Sequence, residues 1–184
     1  MTAEAAGPRR EIVIGLGSNV GDRLANLQLG VDALCGDGLD CRAVSAVFHT
    51  VPVGGPEQDD FLNAVLVADT SLPAAAVLAR CHQAEAAAHR VRTVRWGPRT
   101  LDVDLIAYGD EVSGDPQLTL PHPRAHERAF VLAPWLDAAP DAVLAGHGGV
   151  GDLLAAVGSD GVDRVPDLRL ALPAATMPVR AQCR

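Results

Sequence analysis

The sequence predicts an α+β domain with a ferredoxin-like βαββαβ core, a mostly antiparallel sheet covered by helices. Three observations carry this. Short apolar or alternating runs recur between loops rich in Gly and Pro. Two stretches with helical character follow the first and third of those runs. The resulting order, strand, helix, strand, strand, helix, strand, is that of the split βαβ motif, whose helices form a layer on the sheet.

The elements follow in order. Residues 11–18 form a strand, because Ile12, Val13, Ile14 and Leu16 make a short apolar run. Asp22 is placed to cap a helix in which Leu24, Leu27, Val31 and Leu34 recur at helical spacing, with Gly36 as its stop. Residues 41–50 read as one strand with Val44, Ala46 and Phe48 on one face. Residues 51–60 contain Pro52, Gly54, Gly55 and Pro56 and form a loop. A strand over 61–69 precedes a helix opened by Ser71 and Pro73 and rich in Ala, over 74–89. Residues 90–100 carry Gly97-Pro98 and form a loop, followed by a strand over 101–108. Helices are expected over 124–136 and 151–157, and a last strand over 169–172.

With 184 residues the chain has room for one domain, expected over 11–158, after a leader at 1–10 and before a tail at 159–184 with no assigned role. The net charge is −8, with 15 basic against 23 acidic residues, which argues against a nucleic-acid partner. Every basic residue is Arg. The lack of Lys excludes Schiff-base chemistry and a Walker-type phosphate loop. No apolar run reaches the roughly 18 residues of a membrane span, so no membrane partner is expected. Cys35, Cys41, Cys81 and Cys183 form no Cys-x-x-Cys pair; they read as isolated reduced thiols of a cytoplasmic protein, without a zinc site.

The stretch 90–104 is the richest in chemistry. It holds Arg90, Arg92, Arg95 and Arg99, then Asp102 and Asp104. Strand residues two apart share a face at roughly 6.5–7 Å, so the two carboxylates stand side by side while Leu101, Val103 and Leu105 face the core. Paired carboxylates repel unless a cation intervenes, and Mg²⁺ suits one or two carboxylates with substrate phosphates. Guanidinium forks match phosphate oxygens. Together these groups equip a site for phosphoryl transfer, against the simpler reading that acids and arginines pair on a solvated face. The run Gly15-Leu16-Gly17-Ser18-Asn19-Val20-Gly21 lacks the dinucleotide-binding spacing and reads as a tight turn. His122 sits between Pro121 and Pro123, with Arg128 and Phe130 nearby in sequence. Asn63 stands in a strand, where its amide can both donate and accept.

The string Arg95-Trp96-Gly97-Pro98-Arg99-Thr100-Leu101-Asp102-Val103-Asp104 closely resembles the signature of the 6-hydroxymethyl-7,8-dihydropterin pyrophosphokinases of the folate pathway. Gly15–Asn19, Thr50-Val51-Pro52, Phe61-Leu62-Asn63-Ala64, Glu85, Arg90-Val91-Arg92 and Pro121-His122-Pro123 follow in that family's order, over about residues 12–140. The resemblance implies transfer of the β,γ-diphosphate of ATP to the pterin hydroxymethyl group, with release of AMP. It implies two Mg²⁺ ions on Asp102 and Asp104, and ATP contacts from Glu85, Arg92, Trp96, Arg99, His122 and Arg128. Arg92 and Arg99 would act on the phosphates in a loop that closes around Trp96. The pterin would stack between Phe61 and Phe130, against Trp96, with Thr50, Val51, Val53 and Asn63 reading its edge. A monomer is expected. Phe61 stands where the family often has Tyr, Val51 where Pro is common, and His82 beside Gln83 where an ATP-site Gln is common. Two other readings stay open: another Mg²⁺-dependent nucleotidyl or phosphoryl transferase, and a non-catalytic binding module of the same fold.

Overall fold

The computed structural model of the protein describes residues 7–52, 56–88 and 98–174. Five strands in the order β10-β3-β4-β1-β5 make an antiparallel sheet: β1 (Arg10–Ser18), β3 (Phe48–Thr50), β4 (Phe61–Thr70), β5 (Asp102–Tyr108) and β10 (Val162–Arg164). A sixth, β2 (Leu39–Val44), pairs with the far half of β4 on the edge that β3 uses. Two helices, α1 (Arg23–Leu34) and α2 (Ala74–Ala87), complete the predicted βαββαβ core.

Strand alternation divides the interior into two layers. Ile12, Ile14 and Leu16 of β1 join Leu62, Leu66, Val103 and Leu105 under α1 and α2, with Leu27, Val31, Leu34, Val77 and Ala84. Val13, Val65, Val67 and Ile106 face the other way, under α3 (Ala129–Ala138) and α4 (Val150–Val157), where Val131, Leu132, Trp135 and Val150 are buried. Two hairpins, β6 (Ser113–Asp115) with β7 (Leu118–Leu120) and β8 (Val143–Leu144) with β9 (Gly148–Gly149), lie outside the main sheet. They are too short to leave a period in the sequence.

The start of α1 follows the sequence chemistry, whereas α2 begins after Pro73 as N-cap with no side-chain capping bond. Asp22 Oδ1 accepts the Ala25 N–H at 3.0 Å, and Gly36, with φ +105°, ends α1.

Several expectations are corrected. The single strand over 41–50 is two, because Ser45 interrupts the pairing. Its N–H donates to the Val65 carbonyl at 2.9 Å, and its hydroxyl accepts the Val65 N–H at 2.9 Å. A side chain thus takes the place of a backbone acceptor, and the chain swings from one half of β4 to the other. The helix over 124–136 is a 3-10 turn (Ala125–Glu127) followed by α3, because Arg128 is extended at φ −113°, ψ 99°. No strand forms over 169–172. Leu168, Leu170 and Leu172 pack on the core instead, and Gln28 pairs with the Ala171 backbone, accepting its N–H at 2.9 Å and donating to its carbonyl at 2.8 Å. The tail strand is β10. The thiols are not all isolated either: Cys35 and Cys41 are disulfide-bonded around the turn between α1 and β2. Cys81 is free and buried, its thiol pushed up to about 12 by burial and then by the charge of Asp104. Cys183 lies outside the described residues.

Candidate active site

Helices α3 and α4 pack on one part of the second sheet face. Toward the C-terminal end of β1 its residues are Gly15 and Gly17, and in antiparallel pairing directly opposite residues share a face. Gly17 lies opposite Asn63 on one side and Asp102 on the other, and Gly15 lies opposite Val65 and Asp104. Gly15 and Gly17 are therefore strand residues between the two neighbouring strands, a correction to the tight-turn reading. Gly17 has a steric reason: a Cβ there would stand 2.9 Å from Asn63 Oδ1.

The two carboxylates share this face as predicted, with Leu101, Val103 and Leu105 in the opposite layer. The Arg99 guanidinium is hydrogen-bonded to Asp102. Burial, then the negative charge of Asp102, pushes the Asp104 carboxyl up; His122, Arg128 and Arg99 oppose that shift. Burial lowers the His122 imidazole below its ordinary value, with Asp104 pulling the other way and Arg128 adding to the lowering. Burial likewise lowers Arg128, whose guanidinium sits over the Phe130 ring at 5.5 Å from its centroid. His122 is held by its backbone: its N–H donates to the Ile106 carbonyl at 2.8 Å, and its Nδ1 accepts the Arg124 N–H at 3.2 Å. Arg99, Asp102, Asp104, His122, Arg128 and Phe130 thus form one neighbourhood drawn from β5 and the chain leading into α3.

On the same face Asn63 is buried and donates from Nδ2 to Thr50 Oγ1 at 2.6 Å. Thr50 lies opposite Phe61. Val51 follows at the surface, 57% exposed. Glu85 belongs to α2, on the other side of β5, where it is buried and its Oε1 accepts the Val103 N–H at 3.1 Å. Its carboxylate therefore holds the strand between the two aspartates. Val53, Arg90, Arg92, Arg95 and Trp96 lie outside the described residues.

One residue with a visible structural part was missed. Asn19 is 2% exposed and makes four hydrogen bonds among the described residues. Its N–H donates to the Arg99 carbonyl at 3.0 Å and its Oδ1 accepts the Arg99 N–H at 2.7 Å. Its Nδ2 donates to Gln58 Oε1 and to the Asp59 carbonyl, both at 3.0 Å. It thus joins the segment entering β5 to the segment entering β4. Its place in the Gly-Ser-Asn run was the available signal. A separate polar cleft of about 420 Å³ beside it, lined by Arg23, His49, Asp59 and Asp60 among others, contains none of the predicted site residues.

Two carboxylates on a glycine floor, with Asp104 already raised by burial and its neighbour, suit a hard divalent cation. Among the described residues no group of three or more His, Cys, Asp or Glu side chains could hold a metal, so any ion here would need substrate or water oxygens.

The fold and this ionic cluster define the class, an α+β enzyme domain with its candidate site on one face of an antiparallel sheet. Residues 13–140 match the family described as 7,8-dihydro-6-hydroxymethylpterin-pyrophosphokinase (HPPK), and the chain belongs to it. Two relatives bear the name 2-amino-4-hydroxy-6-hydroxymethyldihydropteridine pyrophosphokinase. The one from Methylorubrum extorquens is 44% identical over 153 residues, covering 83% of this chain and 96% of its own. The one from Mycobacterium bovis is 48% identical over 143 residues, covering 72% of this chain and 74% of its own. A crystal structure of Plasmodium falciparum HPPK-DHPS superposes with a TM-score of 0.69 at 12% identity, over 91% of this chain and 50% of that one. At that identity the likeness is one of fold, and this chain spans half of the longer protein.

Proposed function

We propose that this protein transfers the β,γ-diphosphate of ATP to the hydroxymethyl group of 6-hydroxymethyl-7,8-dihydropterin, with Mg²⁺, as a step of folate biosynthesis. The reading rests on one observation above all. The ionic cluster of Asp102, Asp104, Arg99, His122 and Arg128 shares a sheet face with the neutral pair Asn63 and Thr50. A polyanion and a flat heterocycle can then meet edge to edge across Gly17. The family membership and the two named relatives support the same acceptor and the same transfer.

In this account the acceptor oxygen bonds to the β-phosphorus and the bridge between the α- and β-phosphorus breaks. AMP leaves with the electron pair, and the hydroxyl proton is released. Attacking and leaving oxygens must lie roughly in line, so positioning carries the catalysis. Asp102 and Asp104 would hold Mg²⁺, two ions in the full reading, which when bound neutralises charge on the transferred diphosphate. Arg99 and Arg128 supply fixed positive charge to the phosphates, together with Arg92, and His122 donates or accepts at their edge. Glu85 steadies the strand under the ATP, and Trp96 would contact both substrates. Phe61 and Phe130 give the pterin its stacking faces, and Asn63, Thr50 and the backbone of Val51 and Val53 read its edge.

The protein acts as a cytoplasmic monomer on these two small molecules, without nucleic acid or membrane. No helix among the described residues is long and apolar enough to cross a membrane. The test is direct: purified protein with ATP, Mg²⁺ and the pterin gives AMP and pterin diphosphate in equal amounts, and EDTA abolishes both. ADP as the main nucleotide product would overturn the reading.

A further inference from the structure

The strand β10 lies beyond the family match, which ends at residue 140, yet it is paired into the same sheet. Its register is Val162 to Thr50, Asp163 to His49 and Arg164 to Phe48. Because opposite residues share a face, Val162 stands beside Thr50 and Phe61 in one row. Arg164 begins the neighbouring row, which continues through Phe48, Asn63 and Gly17 to Asp102.

Two further contacts tie this strand to both sides of the same surface. A Cβ on Gly161 would stand 3.9 Å from Val51 Cγ2, so the turn into β10 lies against Val51. Arg164 pairs with Asp137 at 3.3 Å, and the same carboxylate accepts the Ala46 N–H at 2.8 Å. Asp137 sits in the last turn of α3, the helix that begins beside Phe130. Without β10, β3 would be a three-residue edge strand with its outer backbone groups unpaired.

We propose that β10 is a clasp for the acceptor pocket. It fixes Thr50 and Val51 from outside and, through Arg164 and Asp137, ties that wall to the helix carrying Phe130. This rests on the pterin lying against Thr50, Asn63 and Phe61. Val162, Asp163 and Arg164 act on the pterin through that wall and have no part in the nucleotide side.

The clasp can be opened in the full-length protein. Val165 donates to the Val47 carbonyl at 2.8 Å, and the two-residue period of the strand turns the Asp163 N–H the same way, toward β3. Asp163→Pro removes that donor, whereas Asp163→Ala keeps it. With Asp163→Pro the pterin KM should rise about five- to tenfold, the change that one lost hydrogen bond corresponds to. The ATP KM and kcat should stay within about twofold, Asp163→Ala should match wild type, and the β3 amides should exchange faster. Unchanged pterin KM despite faster exchange in β3 would overturn the clasp, as would ATP and pterin KM rising together. If Asp163→Pro does not fold, Arg164→Gln decides. A rise in pterin KM restored by Arg164→Lys supports the clasp, and no rise overturns it. Phe61→Ala in the same assay separates the two readings. If it raises the pterin KM and the β10 variants do not, only the clasp fails. If neither does, the pterin is not at this wall.

Discussion

Gly17→Ala probes the floor on which both halves of the site depend. The added methyl would stand 2.9 Å from Asn63 Oδ1, and 3.9 Å from both Asp102 Cβ and Phe61 Cδ1. The last two are ordinary contacts; the first is not. Asn63 is 8% exposed and holds Thr50 Oγ1 at 2.6 Å, so it has little room to retreat. If it stays, the overpacked contact costs about 1–3 kcal/mol. If it turns away, the buried bond to Thr50 is lost, at about 1 kcal/mol, or up to about 3 if the group is left unpaired. Alanine returns roughly 0.4–1 kcal/mol by narrowing the unfolded ensemble. The net expectation is a loss of about 1–2 kcal/mol, a Tm lower by roughly 2–8 °C for a chain of this size. Either route disturbs the Asn63 amide, by crowding it where it stands or by turning it away, so the pterin KM should rise about tenfold or more while the ATP KM changes little. Gly15→Ala is the comparison, since its Cβ would meet the Ile106 side chain at 3.3 and 3.5 Å and the Asp104 carbonyl at an ordinary 3.9 Å, with no contact to Asn63. Calorimetry and steady-state kinetics on the two variants suffice. A Gly17→Ala protein with wild-type Tm and pterin KM would show that Asn63 does not depend on this floor.

Other outcomes follow from the same geometry. Asp102→Asn and Asp104→Asn should each remove most of the activity at saturating Mg²⁺, with the fold retained; near wild-type turnover in either would refute the metal assignment. The raised Asp104 carboxyl means that the folded state holds its proton more tightly than the unfolded one, so its contribution to stability falls as pH rises through the folded value. Asp104→Asn should therefore raise the Tm of the metal-free protein at neutral pH and lose that advantage in acid. An equal Tm difference at both pH values would contradict this. Phe61→Ala and Phe130→Ala should each weaken pterin binding by about 1–3 kcal/mol, read by pterin fluorescence titration, with ATP affinity nearly unchanged. Equal losses for both ligands would make these rings core residues instead.

The core of the fold was legible because its signals are local. The apolar run at Ile12–Leu16, the cap at Asp22 and the Asp102-Val103-Asp104 alternation each declare an element within a few residues. Where the deciding partner is distant, the sequence is silent. Ser45 splits a strand through a bond to Val65, twenty residues on. The Leu168, Leu170 and Leu172 alternation suits a strand and a strap docked on the core equally well, and Gln28 decides between them. The Cys35–Cys41 bond depends on how tightly the turn at Gly36–Gly38 closes. The site behaves in the same way. Its carboxylates and arginines are concentrated in one stretch and stand out, but Gly17 reads as a turn residue until Asn63 and Asp102 are seen on either side of it. The part played by Asn19 stays hidden for a similar reason, since its partner Arg99 lies eighty residues away.

The central claim is attack at the β-phosphorus, and paired ATP analogues test it most directly. With α,β-methylene ATP the bond to be broken is no longer a phosphoanhydride, so no pterin product should form. With β,γ-methylene ATP that bond is intact, so AMP should be released and the pterin should carry the methylenediphosphonate. Mass spectrometry of the pterin product reads both. Turnover of the α,β-methylene analogue with no transfer from the β,γ-methylene one would assign attack to the γ-phosphorus. A pterin carrying AMP would assign it to the α-phosphorus, and either result would contradict the account.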